Sequence, residues 1–311
     1  MPSSAILVRP ARAADLPALA GLIARVNVKP FGCCLHCSPA SARELRATFR
    51  NPEHFLGGWE HYFVVGTEDL EHAVTTAFGF QPSADGTVGY LWGPWVSTAP
   101  EDWSQVAPTM LEVLLKLLPA SVRRLDAFLH AENRSGLRFL RSQGFTPGPL
   151  THIYVARPAS LLAGPFYEPL RLKHEVGFTI LHGESFPADG STPAELLLAG
   201  RDEEHVIFAA TDGLRFLGSV CVSVNRSPLE GFIDYLAVKP TARGKGVGTH
   251  LLQTALRWIF EERRLPQAAL TVSDWRHGAR RLYEQSGFAL SASGIAARRT
   301  IPKRSSQKFG E

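Results

Sequence analysis

Between positions 233 and 259 the hydrophobic rhythm of the chain changes once, from strand-like to helical. Ile233-Asp234-Tyr235-Leu236-Ala237-Val238 is rich in strand formers and runs into a Pro-marked turn, Lys239-Pro240-Thr241-Ala242. After Arg243-Gly244-Lys245-Gly246-Val247-Gly248-Thr249, apolar residues return at helical spacing at Leu251, Leu252, Ala255, Leu256 and Ile259. Residues 268–272 predict a further buried strand, and the segment from Ala279 predicts a helix stopped by Gly287. Upstream of the turn, 194–199 reads as a helix and 205–211 and 216–224 as strands. The N-terminal half follows a similar order. Ile6-Leu7-Val8 predicts a strand, then a helix with Asp15 as N-cap and Pro17 in its first turn. Residues 89–96 predict a central strand, and 153–156 a strand that closes the first sheet.

The two halves repeat. Gly136, Phe139, Leu140, Gly144 and Phe145 match Ala279, Leu282, Tyr283, Gly287 and Phe288 at a constant offset of 143, and Val96 answers Val238 at 142. A fixed offset over a whole segment signals a duplicated domain. Pro158, Gly164, Pro165 and Pro169 punctuate the junction, which divides the chain into 1–160 and 161–311. The second copy is shorter ahead of its central strand: 67 steps from Arg171 to Val238, against 87 from Arg9 to Val96.

A strand that delivers a glycine-rich turn to a helix N-terminus is a device for holding phosphate. Glycines let the backbone approach an anion, free N–H groups point at it, and the helix dipole adds favourable potential. Arg243 and Lys245 add fixed positive charge. Two common phosphate loops fail the comparison. Lys245 lacks the Gly and Ser/Thr neighbours of a Walker A loop, and Thr249 stands where a dinucleotide fingerprint needs its third glycine.

Arg243-x-x-Gly246-x-Gly248 does resemble the Arg-x-x-Gly-x-Gly signature of the GCN5-related N-acetyltransferase (GNAT) family. Ala279-x-x-Leu282-Tyr283-x-x-x-Gly287-Phe288 is similar to a second segment of that family. The resemblance implies an α/β (α+β) fold of two tandem GNAT-like domains, each a mixed, mostly antiparallel sheet flanked by helices. It implies acetyl-CoA as co-substrate, bound by Leu236, Ala237 and Val238 of a splayed strand and by Arg243, Gly244, Lys245, Gly246, Val247, Gly248 and Thr249 of the loop. Tyr283 would protonate the departing thiolate, and Asp234, taken to share a strand face with Leu236 and Val238, would be the base. Glu230, Asp274 and His277 are weaker candidates for that base. The family often has asparagine where this chain has Arg276, a contact for coenzyme phosphate or for substrate. In the first copy Asn133 is kept, Leu140 replaces the tyrosine, and Glu101 and Asp102 fall where Arg243 and Gly244 lie in the second. That copy is read as degenerate and the second as catalytic. The expected activity is acetyl transfer to a primary amine by direct attack. A non-catalytic acyl-CoA binder or sensor, and transfer of a longer acyl or aminoacyl group, stay open. So does the acceptor: polyamine, aminoglycoside, amino acid, protein N-terminus or lysine.

Composition adds bounds. The 311 residues leave room for two domains, and 45% hydrophobic content supports packed cores. A charge of +4 suits an anionic coenzyme, and nothing resembles a nucleic-acid module. Part of the charge sits at Arg298, Arg299, Lys303, Arg304 and Lys308, in a tail expected to fray. With no long apolar run and no secretion signal, the expectation is a cytoplasmic protein without membrane partners; a homodimer is left open. Cys33, Cys34 and Cys37 with His36 have half of a zinc spacing and no second half-site, so no metal is expected and small packing residues are the plainer reading. Tyr90, Trp92, Trp95 and Trp103 read as core ahead of a cation-binding cleft.

Overall fold

The computed structural model describes residues 6–37, 41–52, 54–67, 74–83, 85–97, 100–158, 166–187, 191–226 and 228–302. In chain order the first half contains β1 (Leu7–Pro10), α1 (Leu16–Val26), α2 (Ala42–Arg50), β2 (Phe63–Thr67), β3 (Val74–Pro82), β4 (Val88–Val96), α3 (Pro100–Leu117), β5 (Arg124–His130), α4 (Arg134–Ser142) and β6 (Thr146–Ala156). The second half contains β7 (Glu168–Pro169), α5 (Glu175–Ser185), α6 (Pro193–Ala199), β8 (His205–Asp212), β9 (Arg215–Arg226), β10 (Leu229–Val238), α7 (Val247–Arg257), β11 (Ala268–Ser273), α8 (His277–Gln285) and β12 (Ala289–Thr300).

Two compact units form, and each includes a strand from the other half of the sequence. One unit is Met1–Leu150 with Ser293–Glu311; the other is Thr151–Ala292. The strand expected at 153–156 therefore does not close the first sheet. It runs antiparallel to β11, Ala268 opposite Ala156 and Ser273 opposite Thr151. The first sheet is completed by β12, with Gly294 opposite His130 and Thr300 opposite Arg124. Burial alternates along β6 from Thr151 to Ala156, a pattern that encodes a face and not a partner. Arg298 and Arg299 accordingly lie in a strand and do not fray: Arg298 approaches Asp126 to 3.8 Å and Arg299 stands 5.9 Å from the Phe145 ring. Lys303, Arg304 and Lys308 lie outside the described residues.

In the first unit, α1 and α3 pack a core in which Phe49, Phe55, Trp59, Phe63 and Trp92 meet edge to face, with ring centroids 5.1–6.2 Å apart. Trp95 is fully buried, and its Nε1 donates to Asn27 Oδ1 at 2.9 Å. Trp103 meets Phe139, and Tyr90 meets His36, edge to face, so these aromatics are core and its rim. Asp15 does not cap α1. Its buried carboxylate accepts from Arg12 N at 2.7 Å and from both terminal nitrogens of Arg9 at 2.7 and 2.8 Å.

The four cysteines are free and buried. Burial pushes the Cys33 thiol up to about 12 and also raises Cys34 and Cys37, so none is poised as a thiolate. Among the described residues no group of three or more His, Cys, Asp or Glu is placed to hold a metal. No described helix is long and apolar enough to cross a membrane.

The second unit is built on β6, β11, β10, β9, β8 and β7 in that spatial order. α7 packs on one face over Ile233, Val220, Val222 and Leu270. α5 covers the other through Phe178 and Leu181 against Ala209, Cys221 and Ala237.

Candidate active site

The parallel pairing of β10 with β11 stops early. It covers Gly231, Phe232 and Ile233 against Ala268, Ala269 and Leu270 and goes no further. Beyond Ile233 the two strands part, leaving the β11-facing edge of β10 open just where it approaches the phosphate-type turn. A bulge in the β10–β9 ladder falls at the same place, between Ile233 and Tyr235. One extra residue there breaks the side-chain alternation. Asp234 consequently does not share a face with Leu236 and Val238, as simple alternation would require. Leu236 and Val238 pack toward the α7 core, whereas Asp234 meets Ser223, His205 and Cys221. Burial raises its carboxyl to about 6, against the opposing effects of the Ser223 hydroxyl and the His205 ring.

A cleft of about 770 Å³ opens along the free edge of β10. Leu236, Ala237 and Val238 form one wall, Leu181 and Glu184 through Phe186 another, and Trp275 through Ala279 a third, with Arg243 and Pro240 at the turn. Of the expected site residues, Leu236, Ala237, Val238, Arg243 and Arg276 line this cleft; Asp234, Tyr283 and the residues from Gly244 to Thr249 do not.

The turn itself has the geometry its glycines suggested. Gly244 and Gly246 have φ of +74° and +79°, the left-handed region that side chains disfavour, and Gly246 is the N-cap of α7. Among the described residues the backbone N–H groups from Gly244 to Thr249 donate to no other backbone group, and no side chain caps the helix. Arg243 Nε donates to Val238 O at 3.1 Å and Lys245 Nζ to Thr241 O at 3.0 Å, tethering both cations beside this row of donors. Gly248 is different. Its φ is ordinary, and an added Cβ would make only van der Waals contact, 3.4 Å from Leu282 and 3.6 Å from Val238. The fold does not require a glycine there; an anion lying close to the helix end would.

Tyr283 is buried on α8 near Tyr154 and Phe288, with ring centroids at 6.4 and 6.0 Å. Burial raises its phenol to about 12, with Arg276 pulling the other way, so it stays protonated throughout the neutral range. Its helix is anchored by side chains whose role was not legible in the sequence. Tyr154 of β6 donates to Glu284 at 2.6 Å, while Arg280 and His152 both bind Asp274 Oδ1, at 2.6 and 2.8 Å. Asp274 is thereby committed to structure. Glu230 is buried and accepts from Gln267 at 2.8 Å and Asn225 at 3.2 Å, which commits it likewise. His277 lines the cleft.

Among its described residues the first unit shows no such glycine turn. α3 starts at Pro100, four residues after Val96, whereas α7 starts nine residues after Val238. Proline followed by two acids is a helix-initiating sequence, and the residues matching Arg243 and Gly244 lie in the first turn of α3. Asn133 is an N-cap: its Oδ1 accepts from Gly136 N at 3.0 Å and its Nδ2 donates to Cys33 O at 3.3 Å. The matching residue in the second unit, Arg276, makes no such cap on α8.

Residues 176–288 match the Acetyltransferase (GNAT) family. The second unit is a GNAT domain. Acyl transfer is therefore the chemistry of its family. Solved structures extend the likeness in fold to nearly the whole chain. A GCN5-related N-acetyltransferase from Sphaerobacter thermophilus is 18% identical with a TM-score of 0.65, and 95% of each chain is covered. A tandem GNAT protein from the clavulanic acid biosynthesis pathway is 13% identical with a TM-score of 0.53, covering 96% of this chain and all of that one. The glucosamine N-acetyltransferase region of a fungal multi-domain β-N-acetylglucosaminidase is 13% identical with a TM-score of 0.62; this chain spans 38% of that protein. The GNAT domain and its tandem repeat thus share a fold with these proteins.

Proposed function

We propose that the GNAT domain of residues 151–292 transfers an acetyl group from acetyl-CoA to a primary amine by direct attack. The observation that carries this reading is the row of unpaired N–H groups from Gly244 to Thr249 at the end of an open strand edge. Acetyl-CoA, when bound, supplies the thioester and a pyrophosphate of the kind such donors suit. The residues present fit it. Gly248 leaves the helix end clear, and Arg243 and Lys245 provide charge without obstructing the turn. The stretch Leu236–Val238 lies beyond the pairing with β11 and lines the cleft, so main-chain groups that β9 does not use can meet the amides of an extended arm.

Tyr283 stands as a neutral donor able to protonate a departing thiolate. Asp234, ionised above about pH 6, takes the proton of the incoming ammonium. Because neither Asp234 nor Tyr283 lines the cleft, each of these proton transfers is relayed by water. A pure binder would have no use for a buried, protonated phenol, which favours an enzyme. We assign the acceptor to small-molecule or peptide amines, with neither nucleic acid nor membrane as partner. Calorimetric titration of acetyl-CoA should give one site per chain, lost or weakened at least tenfold in Arg243→Ala. Two sites would show that the first unit also binds, and no binding would refute the assignment.

A further inference from the structure

Two charges of opposite sign, Arg276 and Glu184, line the cleft. Arg276 makes no ion pair or side-chain hydrogen bond among the described residues, and neither does Glu184 on the α5 wall. The guanidinium carbon of Arg276 instead lies 4.7 Å from the Trp275 ring and 5.6 Å from the Phe186 ring. A cation–π contact of this kind uses none of the guanidinium's hydrogen bonds, so its N–H fork stays available to a carboxylate. Phe186 is itself held at 5.0 Å from Tyr235, so the cation is braced by rings tied to the sheet.

Its position separates it from the phosphate turn. Through Phe186 it is tied to the level of Tyr235, three residues before Val238, which is about 10 Å along a strand. As the N-cap of α8 it precedes Tyr283 by seven residues, about 10 Å along the helix, and its charge acts on the Tyr283 phenol. Arg276 thus lines the cleft apart from the phosphate turn, on the wall formed by Trp275 to Ala279. An anion there belongs to the acceptor.

Resting on the acetyltransferase reading, we infer that the acceptor is an amine that also carries a carboxylate, an amino acid or close analogue. Arg276 binds its carboxylate and Glu184 attracts its ammonium.

The test pairs α-amino acids with their own carboxamides as acceptors, following thiol release, and measures acetyl-CoA affinity by calorimetry for the wild type and Arg276→Gln. The wild type should prefer each amino acid to its amide by about 10- to 100-fold in kcat/KM, the range expected for a charge-assisted hydrogen-bonded contact. Arg276→Gln should abolish that preference and leave the dissociation constant of acetyl-CoA unchanged, which also certifies its fold. Turnover with equal or better use of amides would overturn the inference and leave the acetyltransferase reading standing. Weaker acetyl-CoA binding in Arg276→Gln, with both acceptors affected alike, would return the arginine to the coenzyme. A wild type that binds no acetyl-CoA, or binds it and acetylates neither class, would refute the inference along with the reading beneath it.

Discussion

Gly246 and Gly248 are two residues apart, and the structure gives them different reasons for being glycine. At Gly246 the reason is backbone: φ is +79°, so Gly246→Ala should cost about 1–2 kcal/mol, the penalty of a side chain in the left-handed region. At Gly248 the helix geometry is ordinary and a methyl group meets Leu282 and Val238 at 3.4 and 3.6 Å. Gly248→Ala should therefore stabilise by about 0.5–1 kcal/mol through helix propensity. In a unit of this size that is a rise in Tm of about 1–4 °C. The same methyl would stand at the exposed end of α7 and hold an anion off the free N–H groups. Losing one or two charge-assisted bonds costs about 1.5–3 kcal/mol, so acetyl-CoA should bind about 10- to 100-fold more weakly. Differential scanning calorimetry and isothermal titration on the two variants read both quantities. A Gly248→Ala protein that is stabler and binds as tightly as the wild type would refute the placement of the pyrophosphate. One that is destabilised like Gly246→Ala would show that the glycine serves packing.

Tyr283→Phe keeps the buried ring and removes the donor, so kcat should fall by about 100-fold or more at unchanged acetyl-CoA affinity; equal turnover would remove the proton-donor role. The wild-type kcat/KM should rise with pH through about 6 as Asp234 ionises, and Asp234→Asn should lose that limb; an unchanged profile would place the base elsewhere. Stability gives the opposite sign. Because the folded carboxyl titrates above its unfolded value of 3.8, its contribution is fully present below that value and lost as pH rises through about 6. Asp234→Asn should thus be stabilised relative to wild type at pH 8, on the order of 2 kcal/mol, and not at pH 3; thermal melts at the two pH values decide. Asn133→Ala removes a buried cap and a bond to Cys33, and should lower stability by about 2 kcal/mol with no loss of acetyl-CoA affinity; a melt equal to wild type would deny the cap its role.

What the sequence made legible was local. The change from strand to helical rhythm places β10, the turn and α7, and the three alternate glycines announce the turn's geometry, because period and positive φ are properties of adjacent residues. What it hid was set by partners distant in the chain. Alternation along β10 put Asp234 on the wrong face, since a bulge is decided by the register against β9 and leaves no mark on composition. Residues 153–156 look like the final strand of their own copy, and Arg298 and Arg299 like part of a fraying tail; the sheet each segment joins depends on pairing more than 100 residues away. Trp275 and Phe186 are remote from each other in sequence, and their contact with the Arg276 guanidinium exists only once the fold has brought the two segments together.

The reciprocal placement of β6 and β12 sets a timetable for biosynthesis. The first unit's sheet lacks its last strand until residues 294–300 have left the ribosome, well after its own helices have been made. At ordinary elongation rates that is a wait of roughly 10–30 s after residue 158. Throughout it β5 presents an unpaired edge, the kind of template that invites association between nascent chains. The repeat also cannot be divided by cutting at its apparent seam. A gene shortened to residues 1–160 would yield a unit missing one strand and trailing another, so each half inherits its completeness from the far end of the same polypeptide.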